Sequence, residues 1–254
     1  MATDILIVSY YRDAKRLEYC LRSVDKYARQ FRQTVVVYPR RDEVILHPIC
    51  SAHPNVRQAM FDEEGDGHLW QNVIKTEADL FSDADFILHL DSDSVFTERI
   101  TPLDVSTDGK ADVFYGRYGD FKSVPPHVPW KQVTENAIGR EVEVETMRRF
   151  PIMYPRWLYG ATRKVVENAN EKPFREFVFT APRLGPAWHA YCEFNTLGAV
   201  AYYWFREQFK WRYFGHAEDD RPWKVRQFGS KDPLTEKERQ ELERITDGYQ
   251  LHAA

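Results

Sequence analysis

At 254 residues, with 43% hydrophobic and 29% charged side chains, the chain is long enough for one large α/β domain and is ordinary for a globular protein. A net charge of -4 excludes a globally basic nucleic-acid binder, though not a local basic groove. Cys20, Cys50 and Cys192 are too widely spaced for a disulfide framework or a zinc pattern, and no apolar run approaches the ~20 residues that span a bilayer.

In chain order, Met1–Asp4 lacks a basic region and runs directly into a strand, which predicts no secretory leader and a cytoplasmic protein. Ile5–Val8 reads as a first buried strand ending at Ser9-Tyr10-Tyr11-Arg12. Asp13 is placed to cap a helix with Leu17, Leu21, Val24 and Ala28 at helical spacing. Thr34–Tyr38 is a second strand stopped by Pro39, and Val56–Phe61 a short third one. After the acidic loop Asp62–Gly67, a helix carries Trp70, Ile74, Ala78 and Phe81 on one face, and the strand Asp85–Leu90 follows. This order, β-α-β-β-α-β, predicts a largely parallel sheet with crossover helices.

The second half is less regular. Asp112–Tyr115 reads as a strand, the proline-rich 123–130 segment as irregular, and 141–154 as containing a helix. Helices are expected around Thr162–Asn170 and over Glu193–Phe209. Thr235-x-x-Glu238 is a capping box opening a last helix, with Leu242 and Ile245 facing inward. No linker has the composition of a boundary, so one domain is expected, with functional halves 1–122 and 123–254.

Asp91-Ser92-Asp93 stands where the fourth strand stops. Ligands of open α/β sheets bind outside the carboxyl ends of strands, and two acids one residue apart can share a hard divalent cation. With Ser94-Val95-Phe96 behind it, this triplet resembles the D-x-D element of GT-A glycosyltransferases. The resemblance implies a GT-A fold, a nucleotide-sugar donor (a UDP-sugar) and Mn²⁺ or Mg²⁺ at Asp91 and Asp93. It is sharpened by Gln71 and Lys75, four apart on one face of the preceding helix. That combination resembles uncharacterised bacterial and phage GT-A families, including phage enzymes found beside TET/JBP-type dioxygenases.

The resemblance also implies roles for further residues. Ser9, Tyr10, Tyr11 and Arg12 match the nucleotide-holding loop, and Asp42 the acid that reads base or ribose; Gln71, Lys75 and Ser92 face the donor. Phe214–Lys224 is similar to the H-x-x-G-x-x-K-P-W element of glycogenin-like enzymes, but is one residue shorter, lacks the glycine and has Arg221 for lysine. There His216 would complete the metal shell while Arg221 and Lys224 grip the diphosphate. In Trp188–Gly198, Glu193 at a helix start is the candidate general base, or an acceptor-hydroxyl ligand if configuration is retained. His189 rivals His216 as third metal ligand; otherwise it joins Trp188, Arg148 and Arg149 on the acceptor.

Two acceptor classes stay open. One is a glycan or small molecule. The other is 5-hydroxymethylpyrimidine in DNA, gripped by Arg140, Arg148, Arg149, Arg156, Arg163, Lys164, Lys210, Arg212, Lys224 and Arg226, with Trp157, Tyr159, Trp211 and Tyr213 interleaved. The alternative from another class is a nucleotidyltransferase or a nucleotide-sugar-binding module. The absence of glycine from Ser9–Arg12 counts against the former.

Overall fold

The computed structural model describes residues 1–120, 128–147, 150–184, 191–214, 224–229 and 233–247. Strand β1 (Thr3–Val8) leads through a 3₁₀ turn into α1 (Ala14–Tyr27), then β2 (Thr34–Pro39), α2 (Glu43–Ser51), β3 (Val56–Phe61), α3 (Gly67–Thr76) and β4 (Phe86–His89). All six residues of β1 and of β2 are buried, as expected of strands covered on both faces. Asp91–Asp93 separates β4 from the short β5 (Ser94–Phe96).

The second half runs β6 (Ser106–Thr107), β7 (Lys110–Arg117), α4 (Val128–Ile138), β8 (Val144–Glu145), β9 (Ile152–Pro155), α5 (Arg156–Asn170), α6 (Phe174–Thr180) and α7 (Glu193–Trp204). It closes with β10 (Lys210–Tyr213), β11 (Val225–Gln227) and α8 (Glu236–Thr246). The central sheet has the order β3-β2-β1-β4-β9, parallel except for the antiparallel edge strand β9. It is thus a mixed α/β fold with a largely parallel sheet flanked by helices.

That order places the site. From β1 the chain steps outward to β2 and β3, then crosses back to β4 on the other side of β1. Right-handed crossovers put α1 and α2 on one face of the sheet and α3 on the other. Accordingly α1 packs on α2 and α8, while α3 packs on α6 and α7. The strand direction reverses its march between β1 and β4, and a crevice opens there beyond their carboxyl ends. Ser9–Asp13 borders it on one side and Asp91–Asp93 on the other.

Several expectations need correction. Helix α2 lies between β2 and β3, hidden in the sequence because Pro48 interrupts an otherwise apolar run. No helix lies in the described part of 141–154: β8 pairs with β7 and β9 with β4, so cross-strand pairing overrides local propensity. Helices α4 and α6 were not foreseen. Helix α7 ends at Trp204, where Phe205 leaves helical angles (φ -135°, ψ 28°), and 210–213 joins β7 as a parallel strand. Asp13 occupies the N-cap position of α1 but makes no capping hydrogen bond. The Thr235–Glu238 capping box forms in full; Leu242 is buried and Ile245 half-buried.

Every residue of α7 from Glu193 to Ala201 is buried, so this helix is core all round and tolerates no added volume. A Cβ at Gly198 would overlap the side chain of Thr146, itself fixed by hydrogen bonds to the first turn of α7. Gly198→Ala is therefore expected to destabilise the protein by about 1–3 kcal/mol despite its better helix propensity. Urea unfolding checks this; a stabilised variant would show that the contact can relax.

Candidate active site

The C-terminal rim of the parallel strands holds a cavity of about 490 Å³. Helix α3 forms one wall with His68, Gln71, Asn72 and Lys75. The spacing 68, 71, 75 is one helical face. Across from it lie Asp91, Ser92 and Asp93, and the first turn of α7 brings Glu193. Asn72 Nδ2 donates to the carbonyl of Tyr191 at 2.8 Å, joining α3 to the chain just before α7.

Lys75 is the centre of this arrangement. Its ammonium donates to Asp91 Oδ1 at 2.8 Å and to Glu193 Oε1 at 3.2 Å, and it lies over the rings of Phe194 (5.1 Å) and Phe150 (5.6 Å). Burial opposes its charge, but the two carboxylates and their hydrogen bonds outweigh that, so its pKa is raised. Gln71, Lys75, Ser92, Asp91, Asp93 and Glu193, proposed separately from the sequence, all line the one cavity.

The carboxylates are left with excess charge. Burial, and next the neighbouring Asp91 carboxylate, push the Asp93 carboxyl up to about 6, against a hydrogen bond from Gln227 Nε2 at 3.2 Å. Gln227 arrives on β11, which pairs antiparallel with β5 and whose next residue, Phe228, donates its amide to the Asp93 carbonyl at 2.9 Å. Asp13 also lines the cavity; burial raises its pKa, Arg16 opposes the rise and Asp91 adds to it. Its buried Oδ1 has no hydrogen-bond partner.

The nucleotide-loop candidates are placed next to this site but do not line it. Tyr10 turns inward, donating its hydroxyl to the Gly67 carbonyl at 2.6 Å and packing edge-on against Phe61. Tyr11 is exposed, and its amide donates to buried Asp42 Oδ2 at 3.0 Å, so Asp42 clamps the loop after β1. Arg12 donates to the Tyr11 hydroxyl at 3.0 Å, and the Ser9 amide extends the β1–β2 ladder to Val37. Lys224 is held elsewhere, by Asp104 Oδ1 at 2.7 Å and the Arg99 carbonyl at 2.9 Å. Arg148, Arg149, Trp188, His189, His216 and Arg221 lie outside the described residues.

Sequence reasoning missed Asp13, His68, Trp130, Met147 and Gln227 as lining residues. His68 was findable, three residues before Gln71 on the same helical face. Gln227 was not, because only the β11–β5 pairing brings it to Asp93.

A hard divalent cation fits this donor set. Asp91 and Asp93 offer carboxylate oxygens, burial and then the Asp91 charge hold Asp93 above its ordinary pKa, and among the described residues Asp13 keeps a buried oxygen unpartnered. Among the described residues, no three His, Cys, Asp or Glu converge closely enough to hold a metal by themselves.

No protein-family model matches the chain, and no curated protein does. Solved structures with similar chain paths include the galactosyltransferase LgtC in complex with donor and acceptor sugar analogs (15% identity, 67% of this chain and 66% of that one, TM-score 0.44). Another is 4-diphosphocytidyl-2C-methyl-D-erythritol synthase from Anaerococcus prevotii DSM 20548 (12% identity, 96% and 94% coverage, TM-score 0.49). A third is the glycosyltransferase GlyE of Streptococcus pneumoniae TIGR4, at 12% identity, 84% and 45% coverage, and TM-score 0.43. The chain thus spans 66% of the length of the first and 45% of the third. Among the described residues, no helix is long and apolar enough to cross a membrane.

Two stability measurements probe the site. Lys75→Met leaves Asp91 and Glu193 facing each other without a cation, and is expected to cost about 3–5 kcal/mol near neutral pH. Urea unfolding at neutral pH reads the loss, and a variant as stable as the parent would show that the network adds nothing to the fold. For Asp93 the folded pKa of about 6 lies above that of an unfolded aspartate, so the native state takes up the proton between about pH 4 and 6. Its contribution therefore favours the fold at low pH and is lost as pH rises through that window. Asp93→Asn should accordingly be more stable than the parent by about 1–3 kcal/mol above pH 6, and not below pH 4, in denaturant titrations.

Proposed function

We propose that this chain is a metal-dependent GT-A-type glycosyltransferase, moving a glycosyl group from a UDP-sugar to an acceptor hydroxyl. The observation that carries the reading is the Asp91–Lys75–Glu193 network, in one cavity at the switch point of a largely parallel sheet. It joins the D-x-D turn, the α3 lysine and the start of α7, each of which the sequence resemblance names independently.

Asp91 and Asp93, with His216, would hold Mn²⁺ or Mg²⁺, which when bound neutralises charge on the departing diphosphate. Lys75 fixes the Asp91 and Glu193 carboxylates in place by hydrogen bonds to both. One oxygen of Glu193 is occupied by Lys75, leaving Oε2 to accept the proton of the acceptor hydroxyl. In a direct displacement that hydroxyl oxygen bonds to the anomeric carbon as the carbon–oxygen bond to the diphosphate breaks. The electron pair leaves with the diphosphate, and the proton remains on Glu193. Gln71 and Ser92, which both line the cavity, would hydrogen-bond the donor. Asp42 acts at a distance by clamping Tyr11, which keeps the loop of Ser9, Tyr10 and Arg12 in place beside the nucleotide. Arg221 is the candidate phosphate ligand of its loop, while Lys224 belongs to the Asp104 pair.

Turnover of a panel of UDP-sugars with Mn²⁺ tests the reading. Asp91→Asn is expected to abolish Mn²⁺-dependent UDP binding and transfer while the far-ultraviolet dichroism stays native. Glu193→Gln should lower kcat by about 100-fold or more with UDP affinity within about twofold of the parent. Normal turnover by both variants would remove the roles given to Asp91 and Glu193, and no turnover of any UDP-sugar by the parent would remove the transferase reading.

A further inference from the structure

The cavity has a second wall, on the Glu193 side, that none of the donor groups uses. Trp130, near the start of α4, and Met147, in the segment after β8, line it. Met147 is fixed there because Asn195 Oδ1, on the first turn of α7, accepts the amides of Thr146 and Met147, each at 2.8 Å. An indole and a thioether thus line the same cavity as Glu193.

The charge of the cavity is as one-sided as that wall is apolar. Among its described lining residues, Asp13, Asp91, Asp93 and Glu193 face a single cationic side chain, Lys75. A bound dication and a donor diphosphate would roughly cancel each other, so the excess of negative charge would remain. Ionised carboxylates only accept hydrogen bonds. They match a substrate that presents hydroxyl donors and repel one that presents phosphate.

Of the basic residues considered for a polyanion track, Arg148 and Arg149 lie outside the described residues, Arg156 and Lys164 are exposed on α5, and the others are engaged elsewhere. Arg163 is paired with Asp79, Lys210 with Asp108, Arg212 with Asp112, Lys224 with Asp104 and Arg226 with Glu241. Arg140 stacks on Tyr203 and Trp204 at the last turn of α7, about 16 Å along the helix from Glu193. Tyr159 is fully buried.

We infer that the acceptor is an uncharged saccharide, seated with the apolar face of its ring on Trp130 and Met147 and a hydroxyl at Glu193, and not a nucleic acid. The inference rests on the transferase reading above and names the substrate class of that same site. A sugar ring has one face of C–H groups and an edge of hydroxyls, which is the division this wall presents.

The test uses the full chain with Mn²⁺ and the preferred UDP-sugar. Transfer to neutral disaccharides (lactose, cellobiose, maltose) is compared with transfer to duplex DNA carrying 5-hydroxymethylcytosine, by mass spectrometry. Saccharide products are expected, with none on DNA. Trp130→Ala and, as a second variant on the same wall, Met147→Gln should each raise the acceptor KM about tenfold or more, with a much smaller change in donor KM. Trp130→Tyr should restore most of the loss, which a merely structural residue would not require. Mass gain on DNA, acceptor KM values unmoved in both variants, or donor hydrolysis without transfer to any disaccharide would overturn the inference and leave the transferase reading standing. Failure of the parent protein to bind or hydrolyse any UDP-sugar would remove that reading itself.

Discussion

A buried ammonium between two buried carboxylates organises this molecule. Lys75 sits at the end of α3, Asp91 just past β4 and Glu193 at the start of α7, so one side chain ties three elements far apart in sequence. Removing such charges from water costs several kcal/mol per ion, and the Coulomb attraction returns that only with close contacts. Here two hydrogen bonds and two aromatic faces supply them. The net gain in stability from such a network is modest, and removing one member leaves the others buried and uncompensated.

The same interaction explains why the remaining acids are unsettled. Lys75 compensates one oxygen of Asp91 and one of Glu193, and Asp13 and Asp93 are left sharing a buried space with them. Burial and like charge then lift the Asp93 carboxyl, against the neutral hydrogen bond of the Gln227 amide. A site that stores uncompensated negative charge in this way is prepared for a cation and for hydroxyl-bearing ligands, and is unfavourable for phosphate-bearing ones away from that cation. Charge distribution, more than cavity shape, sets the chemistry such a site accepts.

The sheet supplies position. Because β4 lies beside β1 and not beyond β3, the turns after these two strands face one another across the crevice. Asp42 steadies the first by accepting the Tyr11 amide, and β11 braces the second by pairing with β5. The two clamps come from opposite ends of the chain, yet they hold the borders of one pocket.

Much of the first half was readable in the sequence by itself. Short apolar runs bounded by turn residues, β-branched in β1 and β2, read as strands covered on both faces, so β1, β2 and β4 declare themselves; the turn at Asp91–Asp93 follows from where β4 stops. The i, i+4 spacing put Gln71 and Lys75 on one helical face, and Glu193 at a helix start marked α7. The second half was less legible because short strands there owe their existence to partners: β8, β9 and β10 form where β7 and β4 offer open edges, against local helical or irregular signals. Only the tertiary structure decided that Lys75 binds Asp91 and Glu193 together, that Asp13 faces the cavity instead of capping α1, and that Gln227 reaches Asp93. The physical reason is that periodicity reports which face of an element is apolar, whereas pairing of charges across a cavity depends on which elements the fold sets opposite each other.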